Sequence, residues 1–295
     1  MISNGKFYES QFEEATIELL REAHWQYAFG DDIHRKYTDP LIEEDLRNFL
    51  AVQYKDKNLT TSEMDSIVAN LRNTGGQNDY YALRNTFLLY RDGYDFAYSD
   101  GRSNPFRLEY IDFEHPVHNI FRCVNQFVME QGRENRRPDI LLFINGIPVC
   151  IIELKNPTKQ NATIHDAHTQ ICTRYMRDIP ALLKYCALAV ISDGAKNALG
   201  ATYTPFEFFY EWKKIENEDK AGKGLDTLRT LIRGAISPER ILEILRDYVY
   251  FPDPTKEDDT TEIVCRYPQF FATRKLRDHI LNHLRSVGGD GKGGT

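Results

Sequence analysis

Apolar side chains recur at mostly helical spacing over residues 8–27, at Phe12, Ile17, Leu19, Leu20, Ala23 and Trp25, which predicts a helix packed on a sheet. Residues 45–54 read as a second helix. Thr60-Thr61-Ser62-Glu63 offers a capping box for a third, which runs to about Arg72 before Gly75-Gly76 stops it. Strands are then predicted at 86–91 and 94–98 around Asp92-Gly93, at 107–113 and at 121–129. Two more apolar runs, 139–144 and 147–155, flank Asn145-Gly146, the strongest short hairpin signal in the chain. A helix over 163–177 and a strand over 186–192, apolar enough to be buried on both faces, complete the pattern. The sum is an α/β fold, a mixed sheet flanked by helices, with a helical segment at the C-terminal end.

Charge breaks this pattern where it is least expected. Asp139, Glu153 and Lys155 sit in the two hairpin strands among side chains that otherwise avoid charge. Moving an ionised group out of water costs several kcal/mol unless something pairs with it, and two carboxylates most plausibly share a divalent cation. In an extended strand Val149, Ile151, Glu153 and Lys155 point one way, so Glu153 and Lys155 are neighbours on one surface.

Register decides whether Asp139 joins them. A plain two-residue Asn-Gly loop pairs Ile144 with Ile147 and Asp139 with Ile152, which sends Asp139 to the face opposite Glu153. A three-residue loop of Ile144, Asn145 and Gly146 with a bulge pairs Phe143 with Ile147 and Asp139 with Ile151, and returns Asp139 to the Glu153 face. The bulged register is the one expected. Asp139 and Glu153 would then offer oxygen ligands to Mg²⁺, with the backbone carbonyl of Leu154 as a further ligand, and Lys155 would orient or deprotonate the attacking water or stabilise the phosphorane.

The run Arg137-Pro138-Asp139-Ile140, then Asn145-Gly146 and Pro148, and finally Ile152-Glu153-Leu154-Lys155-Asn156-Pro157 closely resembles the nuclease signature of the R (restriction and translocation) subunits of type I restriction enzymes. Upstream Ile111-Asp112-Phe113, Asn119 and Asn125-Gln126-Phe127, and downstream Ile191-Ser192-Asp193-Gly194 and Trp212, extend the likeness over essentially the whole chain. The resemblance implies a restriction-endonuclease-like fold and a nuclease of the PD-(D/E)xK superfamily, a type I site-specific deoxyribonuclease that cuts double-stranded DNA with Mg²⁺. Asp139, Glu153 and Lys155 would be its catalytic residues. It also implies an ATP-driven motor fused C-terminally in the full-length subunit, and specificity and methylation subunits as partners. The family carries an acidic residue after an aromatic one in its first helix, here Glu13 after Phe12, with Glu14 as the alternative. It also carries a Gln and a Tyr four residues apart after the hairpin. Gln170 and Tyr175 are the candidates here, yet they are five apart, about 140° around an α-helix, and share a face only if that helix is distorted. The reading from another class is a coupling module that binds DNA and docks on partner subunits without chemistry.

Composition agrees with a protein of the cytoplasm. With 295 residues, 41% apolar and 12% aromatic, the chain can bury a large core, and it has no apolar run long enough to span a membrane. Five cysteines with no Cys-x-x-Cys pair argue for reduced thiols. The net charge of −7 is unusual for a DNA enzyme, but Arg133, Arg136, Arg137, Lys159, Arg174 and Arg177 bracket the site and are candidates for a positive rim.

Several other patterns have plainer readings. His165, His168 and Cys172 form a helical stripe without a visible fourth zinc ligand. The aromatic run Phe206 to Trp212 reads as sheet packing, and 216–224, with Lys220 and Lys223, as a solvated loop. Residues 288–294 are glycine-rich but lack the Gly-Lys-Ser/Thr of a phosphate-binding loop. Tyr267 to Phe271 and a helix over 272–286 resemble the segment just before the family's first ATPase motif, where Arg266 and Gln269 would meet adenine. Residues 1–245 are therefore expected to be the nuclease domain, and 246–295 the linker and first helix of a truncated motor.

Overall fold

The computed structural model describes residues 9–155, 163–215, 222–252 and 260–285. Helix α1 (Glu9–Glu22) leads into β1 (Gln26–Phe29), and α2 (Glu43–Gln53), α3 (Thr61–Asn73) and α4 (Asp79–Asp92) follow. Next come the hairpin of β2 (Tyr94–Phe96) and β3 (Phe106–Leu108), the strand β4 (Phe121–Asn125), and the hairpin of β5 (Met129–Gln131) and β6 (Glu134–Arg136). The central hairpin is β7 (Ile140–Ile144) and β8 (Ile147–Leu154). After it come α5 (Ile164–Thr169), a π-helical turn over Gln170–Tyr175, α6 (Met176–Asp178) and α7 (Pro180–Leu183). The chain continues through β9 (Leu188–Ser192), β10 (Asn197–Ala201), α8 (Leu225–Leu231) and α9 (Pro238–Asp247). It closes with β11 (Val249–Tyr250), its partner β12 (Ile263–Val264), and α10 (Tyr267–Arg285).

Six strands make one mixed sheet in the order β1-β4-β7-β8-β9-β10, with β1/β4 and β8/β9 parallel and the other neighbours antiparallel. Alternation along the strands feeds two cores. Ile140, Leu142, Ile144, Cys150, Ile152 and Val190 pack on one side against α1 to α4, α8 and α9. Leu141, Phe143, Ile151, Ala189 and Ile191 pack on the other against Ala167, Ile171, Tyr175, Ile179 and Leu182 of the helical segment after β8. Every residue of β7, β8 and β9 is buried, which is why these strands read as near-continuous apolar runs.

The mixed sheet flanked by helices is the architecture expected, but five expectations need correction. Residues 86–91 are helical: Asn78 caps α4 through Tyr81 N (3.1 Å), Gly93 ends it at φ 69°, and Tyr80, Leu83, Phe87 and Tyr90 bury one helical face. The first helix stops at Glu22 because His24 takes φ 73°, and the chain becomes β1. The strand expected at 121–129 breaks at Gln126, φ 56°, and that at 107–113 shortens to β3.

The fifth correction concerns the hairpin. Ile144 pairs with Ile147, so the loop has two residues, Asn145 (φ 51°) and Gly146 (φ 76°), both left-handed as a primed turn requires. A Cβ at Gly146 would meet Ile42 O at 2.1 Å. The extra residue lies further along, where Phe143 pairs with Pro148 but Leu142 with Cys150, leaving Val149 bulged. Proline has no N–H to give the ladder, so the irregularity falls beside Pro148 and not in the turn. Beyond it Ile140 pairs with Ile152, which brings Asp139 opposite Glu153 and not Ile151. A bulge does return the two carboxylates to one face, by a different register from the one expected.

Candidate active site

The C-terminal end of β8 carries Glu153 and Lys155 onto the face covered by the π-helical turn. Glu153 is 1% exposed. Its Oε1 accepts from Lys155 Nζ (2.8 Å) and its Oε2 from Tyr175 OH (3.3 Å). Gln170 closes the ring: its Oε1 accepts from Lys155 Nζ (2.6 Å) and its Nε2 donates to Tyr175 OH (2.6 Å). In an α-helix a five-residue spacing would separate Gln170 from Tyr175. The π-helical turn that spans them adds residues to the turn and puts both on one face, the distortion their spacing demands.

Burial, then the charge of Asp139, pushes the Glu153 carboxyl up to about 8, against the pull of Lys155 and Tyr175. The same burial, then Glu153, raises the Tyr175 phenol, which stays protonated. Asp139 is half-buried at the head of β7, and its Oδ2 accepts from the backbone N–H of Leu154 (2.7 Å), so the Leu154 peptide lies against that carboxylate. Asp139 and Glu153 face each other closely enough for the charge of one to raise the other, and carboxylate oxygens of this kind could hold a hard divalent cation such as Mg²⁺.

Of the two candidate acids in α1, Glu13 is buried and Glu14 exposed. Glu13 accepts from Asn125 Nδ2 (2.6 Å) and Gln126 Nε2 (3.1 Å), in an amide socket at the end of β4, the strand beside β7. Its described hydrogen bonds go to these two amides and not to the Glu153 ring. Sequence reasoning gave Asn125 and Gln126 no role; two consecutive amides closing an apolar strand were the available signal.

The arginines differ from one another. Arg136 and Arg177 both bind the buried Asp178 and are thereby committed, while Arg133, Arg137 and Arg174 are exposed. His168 Nε2 donates to the backbone carbonyl of Thr204 (3.0 Å) and the ring packs edge-on to Phe206 and Phe209, so the His165/His168/Cys172 stripe is used in packing. Phe209 and Trp212 are buried as expected of sheet packing; Phe208 is not. Arg266 lies over the Tyr210 ring and its N–H donates to Gln269 Oε1 (2.9 Å). Lys159, Lys220 and residues 288–294 lie outside the described residues. No described helix is long and apolar enough to cross a membrane.

A mixed sheet with charged groups converging at the end of a buried hairpin strand defines an α/β domain of restriction-endonuclease-like architecture. Residues 6–208 match the family described as type I restriction enzyme R protein N terminus, and the chain belongs to that family. It is 29% identical over 286 residues to the type I restriction enzyme HindI endonuclease subunit of Haemophilus influenzae, covering 92% of this chain and 27% of that one. To the protein provisionally named type I restriction enzyme MjaIXP endonuclease subunit, of Methanocaldococcus jannaschii, it is 27% identical over 296 residues, covering 92% and 28%. The type I restriction enzyme EcoprrI endonuclease subunit of Escherichia coli is 28% identical over 202 residues, 65% of this chain and 59% of that one. The chain thus spans about a quarter of the length of the first two relatives.

Proposed function

We propose that this domain hydrolyses phosphodiester bonds of double-stranded DNA as the nuclease part of a type I restriction complex, through Asp139, Glu153 and Lys155. The observation that carries the reading is the Glu153–Lys155–Gln170–Tyr175 ring beside Asp139, in a chain of the R protein family. Asp139 and Glu153 would hold Mg²⁺, with the Leu154 carbonyl as a further donor. Such an ion supplies charge stabilisation to a phosphoryl oxygen and a nucleophile near neutral pH.

The chain's own groups do the remainder. Gln170 and Glu153 fix the Lys155 ammonium from two sides, so that it meets the scissile phosphate as a cation and holds a proton at Nζ for the developing charge. Tyr175, kept neutral, donates to Glu153 and fixes its carboxylate plane. Glu13 holds the end of β4 beside Asp139 through the amides of Asn125 and Gln126. Arg133, Arg137 and Arg174 are the exposed cations for the DNA backbone. Specificity and methylation subunits, and a C-terminal ATP-driven motor in the longer subunit, complete the proposal, and they explain how a chain of net charge −7 reaches DNA: its partners deliver it.

Cleavage of circular duplex DNA by the full-length subunit assembled with its partners tests this. Asp139→Ala is expected to abolish cleavage and leave ATP-driven translocation intact; altered translocation with cleavage retained would instead support a coupling module.

A further inference from the structure

A second group of ligand atoms converges far from Glu153. The loop after β3 reads Asp112-Phe-Glu-His115-Pro-Val-His118-Asn119, and its three-residue spacings come together on a single 3₁₀ turn, Pro116–His118. Residues three apart eclipse on such a turn. The rings of His115 and His118 accordingly stack, with centroids 5.1 Å apart and planes at 29°. Both present Nδ1 to the same oxygen, Asp112 Oδ2, at 3.5 Å from His115 and 2.8 Å from His118. All three ligand atoms lie within 4.8 Å of one another.

We propose that Asp112, His115 and His118 bind a divalent transition-metal ion of the zinc type. Tetrahedral zinc with ligands at about 2.0–2.1 Å spaces its donor atoms about 3.4 Å apart, and the observed 2.8 and 3.5 Å straddle that value. Imidazole nitrogens favour zinc, copper or nickel over Mg²⁺. The surroundings resemble an outer shell. Asp112 is buried, its Oδ1 held by the N–H groups of Glu114 (3.0 Å) and His115 (2.8 Å), and Gln53 Nε2 reaches Oδ2 (3.1 Å). Both rings stay open to solvent, 67% and 48% exposed, which leaves an entry path and room for water to complete the coordination. The cation facing this loop, Arg246, is engaged by Asp247, Glu114 and the Phe113 carbonyl.

The site would pin the loop to the hairpin turn. Asn119 closes the loop on the Asp112 backbone (2.9 and 2.7 Å), and its Oδ1 accepts from Asn145 Nδ2 (2.8 Å). It therefore lies at the turn end of β7 and β8, opposite the Glu153 end. Without metal, the same contacts are an ordinary Asp–His pair.

Calorimetric titration of Zn²⁺ into the full chain, with excess Mg²⁺ present, separates the two. Wild type is expected to take one ion per chain at this site. His115→Gln and His118→Gln, both at solvent-open positions, should each weaken binding at least about tenfold, while Asp139→Ala leaves it unchanged. Metal-free melting temperatures of the two Gln variants report whether the fold survives, and added Zn²⁺ should raise the wild-type value but not theirs. Equal binding in wild type and both Gln variants, absence of saturable binding, or loss in Asp139→Ala alone overturns the proposal.

Discussion

Glu153 sits where a charge is least welcome. Burial and Asp139 together hold its carboxyl near 8, so at neutral pH the metal-free protein keeps a proton there. The folded value lies above the ordinary 4.5, so this group's contribution to stability is complete below about pH 4.5 and is lost as pH rises towards 8. Metal-free protein should therefore melt at progressively lower temperature across that window, and Mn²⁺ should cancel the trend. Because the ion must displace that proton, apparent Mn²⁺ affinity should rise about tenfold per pH unit below about 8 and then level off, as calorimetry at several pH values would reveal. Lys155→Met should slow DNA cleavage by about 10²–10⁴-fold with Mn²⁺ binding retained; equal loss of binding would make Lys155 a support for the carboxylates. Charge among apolar neighbours is what made Asp139, Glu153 and Lys155 legible. Glu13 and Glu14 could not be told apart that way, since adjacent helix positions differ by about 100° and only packing buries one of them.

Elements fix the register and the face on which these side chains meet. Gly146 combines φ 76° with the Ile42 carbonyl at its back, so Gly146→Ala should destabilise the fold by at least about 2 kcal/mol, visible as a lowered urea midpoint. The π-helical turn makes a less obvious prediction. Deleting exposed Thr173 leaves Gln170 four residues from the tyrosine, the α-helical spacing that keeps both on one face. That deletion should preserve folding and Mn²⁺ affinity, whereas a π-helix required in its own right would show loss of both. The hairpin could be read from Asn145-Gly146, and the helix distortion from the five-residue spacing. Pro148 also carries a signal for the position of the bulge, since it has no N–H to give the ladder. Residues 86–91 were ambiguous for a different reason: Thr-Phe-Leu-Leu-Tyr-Arg suits a strand by propensity, and only the tertiary contacts of Phe87 and Tyr90 favour the helix.

At the scale of the molecule, one sheet serves two cores, and the candidate site lies on the smaller, under a helical segment that supplies both Gln170 and Tyr175. The sequence boundary at 245/246 falls inside α9, and Val249, Phe251, Val264 and Phe270 join the larger core, so packing continues through it. Beyond Phe270, α10 leaves Leu276, Ile280 and Leu281 exposed. Chain-level patterning gave the α/β class readily. It did not reveal β10 or β12, which are five and two residues long and carry little periodicity of their own. The central claim is that Asp139 and Glu153 share a divalent cation. Titrating Mn²⁺ into wild type and Asp139→Ala by calorimetry, with a short DNA duplex present, tests it most directly. Wild type should show a saturable site that Asp139→Ala loses; identical isotherms for the two proteins would rule out a cation shared by Asp139 and Glu153.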